Sequence, residues 1–173
     1  MHDSFLNRVR VHRGFLATVG LVAVWITGVW AGYLLYRSSE HIFISLMCGS
    51  YRSFVSIVLL LAGVILPFLI TAYAVHYKQL YILYFLCFIK AFSYCIAVLA
   101  TYGAYGAGGW LMYGLLLFTE NVSVCLLLFL WLRWLWSGAD LKRIIVPCGC
   151  FALLGWGLDM VVIVPFVVSF TSL

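Results

Sequence analysis

The chain has 173 residues, of which 66% are hydrophobic and 9% are charged, and its formal net charge is +5. Soluble domains carry about a quarter of their residues as charged side chains. A water-soluble fold of this size could not bury so much apolar surface, which excludes an ordinary globular domain. The composition instead predicts an all-α polytopic membrane protein, whose backbone polar groups are satisfied within helices.

Five apolar runs are long enough to cross a bilayer, for which about 20 residues suffice. They span residues 15–36, 53–75, 80–101, 110–136 and 144–170. The loops between them are short and leave no room for a soluble domain. We therefore expect one transmembrane domain, residues 1–173, built as a bundle of five helices.

The basic residues predict the orientation of this bundle. If the spans alternate in direction, seven Lys and Arg residues fall on one side and two on the other. The larger group is Arg8, Arg10, Arg13, Lys78, Arg133, Lys142 and Arg143; the smaller is Arg37 and Arg52. Short loops rich in Lys and Arg stay in the cytoplasm, so we expect a cytoplasmic amino terminus and a carboxyl terminus outside.

The first two spans carry packing and bending signals. Residues 1–13 form a short basic arm, and the apolar run after it is longer than that of a typical signal peptide. Gly28 and Gly32 form a G-x-x-x-G pair, which permits close helix approach and here favours packing within the chain. In the second span, Gly63 lies on a small-residue side, and Pro67 frees a backbone carbonyl and kinks the helix.

The third span places a cation near mid-membrane. Lys90 lies about 15 Å from Leu80 at ~1.5 Å per residue, half of a ~30 Å hydrocarbon layer. We expect Lys90, Ser93 and Tyr94 to face the bundle and the bulky Phe88 and Phe92 to face lipid.

The last two spans supply carboxylates at a similar depth. Glu120 and Asn121 interrupt the fourth span, whose Trp-rich end at 130–136 is typical of an interfacial anchor. In the fifth span, Gly155 belongs to a stripe of small residues that ends in Asp159. Pro165 is expected to kink the outer end of this span.

Lys90, Glu120 and Asp159 thus form a predicted mid-membrane polar core, to which Tyr94 and Asn121 are neighbours. Ionisable residues inside a membrane mark ion, proton or substrate paths by default. The alternative is a polar clamp that determines which helices pack together, and the lack of a continuous polar stretch favours the clamp.

An enzyme is not expected. All four histidines lie in loops or at span ends, and no H-E-x-x-H motif occurs. Cys148 and Cys150 have no matching pair of cysteines and are only a weak metal signal; packing is the favoured interpretation, so we expect no metal and no cofactor.

Four features of the chain carry a family resemblance. Lys90-Ala91-Phe92-Ser93-Tyr94-Cys95 lies inside a span and follows a helix with Gly63 and the pair Leu66-Pro67; a glycine-rich turn at 106–109 and the polar break Thr119-Glu120-Asn121 come next. In these features the chain resembles the stage II sporulation protein M family of bacterial membrane proteins. That family has Lys-Gly-Phe-x-x-Gly at the first stretch, and both glycines are replaced here.

The resemblance implies a five-span, non-enzymatic scaffold that works with peptidoglycan hydrolases at the cell envelope during sporulation. Our first hypothesis is therefore a scaffold in the bacterial inner membrane. The second is a small transporter or permease subunit that uses the Lys90, Glu120 and Asp159 set. The expected partners are the lipid bilayer, other membrane or extracytoplasmic proteins and further copies of the chain, and no nucleic acid.

Overall fold

A computed structural model describes residues 2–42, 54–105, 118–137, 141–158 and 161, with side chains for 14–42, 62–103, 121–137, 141, 143–158 and 161. This part of the chain is all-helical and contains no strand. Its five helices are α1 (His2–Ser38), α2 (Phe54–His76), α3 (Leu80–Tyr105), α4 (Phe118–Ser137) and α5 (Lys142–Leu158).

Each helix corresponds to one predicted apolar run. Two helical stretches, Gly14–Ser38 and Leu80–Gly103, are long and apolar enough to cross a membrane, and three shorter apolar stretches lie in α2, α4 and α5. The predicted starts at 53 and 110 and the predicted end at 170 lie outside the described residues. The basic arm predicted to precede the first span continues the helix, since α1 already begins at His2.

A tight turn joins α2 to α3. The Gln79 N–H donates to the Ala74 carbonyl at 2.8 Å and the Lys78 N–H to the Val75 carbonyl at 3.3 Å. This pair of bonds is the Schellman motif, which requires a left-handed residue, and Lys78 has φ 55°. The motif satisfies two carbonyls at the end of α2 and turns the chain straight into an antiparallel hairpin.

Helices α1 and α3 pack side by side and run parallel. The Tyr84 hydroxyl donates to the Ala17 carbonyl at 3.0 Å near one end. Further along both helices, a Cβ added to Gly28 would lie 2.7 Å from the Phe88 carbonyl oxygen, and one added to Gly32 would lie 2.7 Å from that of Phe92. The G-x-x-x-G pair therefore serves a close contact within the chain.

This contact corrects the predicted orientation of α3. Phe88 and Phe92, expected to face lipid, are half-buried, and their rings stack at 6.3 Å. Ser93, expected to face the bundle, is exposed. The reason is that the flat glycine surface of α1 accepts the backbone of α3 at these two phenylalanines, which rotates Ser93 outward.

The remaining helices close the core around large apolar side chains. Leu83, Leu130 and Ala152 are completely buried, and Trp131 is 1% exposed. The 77–79 turn lies at the same end of the bundle as Leu141, Trp136 and Gly14, since Trp136 donates to Thr18 at 3.1 Å. We call this end, with Gly14, residues 77–79 and Leu141, the turn end.

Candidate functional site

The polar interior of the bundle is centred on Lys90. Its side chain is 5% exposed, and its ammonium donates to the Gly63 carbonyl oxygen of α2 at 3.1 Å. A buried ammonium requires such an acceptor, because desolvation of a charge is costly in a low-dielectric interior.

The acceptor is available because of Pro67. In an α-helix the carbonyl of residue 63 accepts from the N–H of residue 67, and proline has none. Pro67 is buried inside α2. Lys90 therefore bonds the carbonyl that the proline leaves without its helical partner, and this bond joins α3 to α2.

A second polar contact joins α3 to α4. The Tyr94 hydroxyl donates to the Asn121 side-chain oxygen at 2.5 Å, and the Tyr94 ring lies 6.4 Å from that of Trp25 on α1. Tyr94 lies one turn beyond Lys90 on α3. Lys90 and Tyr94 thus both bond neighbouring helices.

A third contact joins α4 to α2 and revises the reading of the Trp-rich end. Trp131, included in the predicted interfacial anchor, is buried and donates to the Thr71 hydroxyl at 3.0 Å. Trp136, by contrast, is exposed, as an interfacial anchor would be. No pattern in the sequence separates these two tryptophans, because both lie in the same tryptophan-rich stretch at 130–136.

Two buried hydroxyls were not singled out by the sequence. Thr101 and Ser123 are both fully buried. Thr101 donates to the Ala97 carbonyl of its own helix at 2.7 Å, whereas the Ser123 hydroxyl has no hydrogen-bond partner among the described residues. Ser123 follows Asn121 by two residues, and no pattern in the sequence indicated that its hydroxyl would be buried.

The structure describes only some of the other predicted site residues. Gly155 is buried in α5. A Cβ added to Gly63 would meet no atom within 4 Å, so the contact at this glycine is made by its carbonyl. Glu120 belongs to the first turn of α4, but its side chain lies outside the described part of the chain, as do Asp159 and Pro165.

The arrangement is suited to holding helices together. Lys90, Tyr94 and Trp131 each donate a hydrogen bond to a helix other than their own. Across the ranges with described side chains, no group of three His, Cys, Asp or Glu residues could hold a metal ion.

Comparison of the chain with protein-family models, curated proteins and solved structures finds no match. The resemblance to the sporulation family therefore stays a prediction.

Proposed function

We propose that the chain is a five-span membrane protein with a cytoplasmic amino terminus and an external carboxyl terminus, and that it acts as a non-enzymatic scaffold. The observation that carries the proposal is the bond from the buried Lys90 ammonium to the Gly63 carbonyl. This charge is used to join two helices, which is what a clamp requires.

The helix directions support the five-span topology. Alternating spans require the first and third helices to run parallel, and α1 and α3 do so. The described basic residues also separate by end: Lys78, Arg133 and Arg143 lie towards the turn end, and Arg37 lies at the opposite end. The positive-inside rule then assigns the turn end to the cytoplasm.

Reporter fusions test this topology. Alkaline phosphatase fused after His41 should be active, because it is exported, and the same enzyme fused after Gln79 should be inactive. A fluorescent protein that matures only in the cytoplasm should give the reverse pattern. Phosphatase activity at Gln79 would contradict the orientation, and equal signals at the two positions would contradict the multi-pass topology.

The scaffold would recruit extracytoplasmic or membrane proteins of the cell envelope, with peptidoglycan-remodelling enzymes as the class that the family resemblance implies. Glu40 and His41, at the end opposite the turn end, are exposed and available to such a partner. Purification in a mild detergent should retain an envelope protein that is identified by mass spectrometry.

A variant at the opposite end of the bundle is the control for that purification. The E40Q/H41A variant should lose the partner, and K78Q, at the turn end, should keep it. The scaffold proposal fails if the wild-type protein retains no envelope partner.

The rival function is a transporter that uses the mid-membrane ionisable set, and the K90M/E120Q variant separates the two. A scaffold should still assemble with its partner, with mildly reduced stability. A transporter should lose flux at normal abundance, which a pH-sensitive dye in proteoliposomes would report for protons. Wild-type proton flux that this variant abolishes would favour the transporter.

A further inference from the structure

Polar groups from four helices lie at one height in the bundle. Gly63 comes thirteen residues before the end of α2, and Tyr94 comes fourteen after the start of α3. Ser123 comes fourteen residues before the end of α4, and Trp156 comes fourteen after the start of α5. At ~1.5 Å per residue, all four lie about 20 Å from the turn end, and we call them together the polar layer.

Contacts nearer the turn end support this common height. Trp131 lies six residues before the end of α4 and is hydrogen-bonded at 3.0 Å to Thr71, which lies five residues before the end of α2. Gly149 lies seven residues after the start of α5, and a Cβ added to it would lie 3.9 Å from the ring of Phe68, which lies eight residues before the end of α2. Equal distances along α2, α4 and α5 therefore correspond to equal heights.

Within the described part of the chain, two atoms of this layer are buried without a hydrogen-bond partner. They are the Ser123 hydroxyl oxygen, on a side chain that is fully buried, and the Trp156 indole nitrogen. Buried polar atoms in proteins nearly always have a partner, which is either a protein group or an ordered water. Two such atoms at one height, on helices that pack together, indicate a shared partner.

The layer also contains room beside α2. A Cβ added to Gly63 would meet nothing within 4 Å, whereas additions at Gly28 and Gly32 would collide with α3. A buried water needs about its own volume and two to four polar partners. Open space and unpaired polar groups therefore occur at the same height.

We propose that this layer holds a bound water where α2, α4 and α5 pack together, to which the Trp156 indole N–H donates and which donates to the Ser123 hydroxyl oxygen. This site is separate from the Lys90 to Gly63 bond and does not depend on the scaffold proposal. It makes the middle of the bundle hydrated at one defined position.

Magnetic resonance of the full-length protein with ¹⁵N-labelled tryptophan tests the proposal. The Trp156 indole proton should show a cross-peak to water, assigned through the W156F variant. Trp131 is the matched control, since it is buried and already donates to Thr71, and its indole should show none. The absence of a water cross-peak at Trp156 would overturn the proposal without any further variant.

Substitutions at Ser123 give the second measurement. S123A should abolish the Trp156 cross-peak and lower the melting temperature, because the water loses its acceptor. S123T keeps a hydroxyl and should retain the cross-peak. If the hydroxyl is instead dry and unpaired, S123A should raise the melting temperature. A rise, or a cross-peak that persists in S123A, would contradict the site.

Discussion

Pro67 and Lys90 each compensate for a defect that the other would create alone. Pro67 leaves the Gly63 carbonyl without its helical donor, and Lys90 brings a buried ammonium that requires an acceptor. An unsatisfied buried polar group costs about 1–3 kcal/mol. The bond between the two helices removes both costs.

This relation predicts coupling between the two residues. K90M should lower the free energy of unfolding by about 1–3 kcal/mol, because the Gly63 carbonyl is left without a donor. In a P67A background the loss should be smaller, since the alanine N–H can bond that carbonyl within the helix. Unfolding of all four proteins in mixed detergent micelles measures the difference.

The control is Y81F, whose hydroxyl belongs to a side chain that is 67% exposed, and it should change the stability little. An equal cost of K90M in both backgrounds would show that the Gly63 bond contributes nothing to the effect.

Among the helices, the contact of α1 with α3 depends on the absence of side chains. At Gly28 an added Cβ would lie 2.7 Å from the Phe88 carbonyl oxygen and 2.8 Å from the Ala91 Cβ. The first atom belongs to the backbone and cannot rotate away, so the helices themselves would have to separate. Close approach supplies dispersion contacts, which drive helix association where lipid removes the hydrophobic effect.

G28A should therefore destabilise the protein by about 1–3 kcal/mol through overpacking. The matched control is G157A in α5, where an added Cβ meets nothing within 4 Å and the helix propensity improves. Both variants are compared by thermal unfolding in the same detergent. A G28A protein as stable as G157A would contradict the close packing of α1 against α3.

Across the described side chains, the outward-facing surface of the helices is largely apolar. Phe85, Val146 and Leu154 are each about two-thirds exposed. Soluble monomers rarely present contiguous apolar surface of this kind, whereas lipid accepts it without cost. The thiols of Cys125 and Cys150 belong to this surface, and Cys87 is buried.

These thiols distinguish lipid from water as the solvent of that surface. In single-cysteine variants in membrane vesicles, a charged, impermeant maleimide should not label Cys125 or Cys150, which lie about 18 and 12 Å from the turn end. An apolar maleimide should label both, and Cys87 should react only after unfolding. Rapid reaction of Cys125 with the charged reagent would mean that water covers this face.

Part of the candidate site could be predicted from the sequence alone. A lysine ten residues into an apolar run had to find a partner, and Pro67 had to leave a carbonyl for a neighbour. The bond to α2 could not be predicted, since the sequence offered Glu120 as the candidate partner by charge, and the Glu120 side chain lies outside the described residues. The burial of Trp131 and Ser123 could not be predicted from the sequence either, because a predominantly apolar helix shows no preferred face.

The order of hydrophobic runs and loops by itself determined the all-helical class, the five helices of the described residues and the hairpin at residues 77–79. These follow from length and from the need to satisfy each backbone within its own helix. The tertiary structure alone decided that α1 lies against the Phe88 and Phe92 side of α3 and that Lys90 bonds α2. The physical reason is that the shape of the helix surfaces decides which faces pack together. Here that shape comes from the two glycines of α1 and the proline of α2, and the hydropathy of the sequence contains no information about shape.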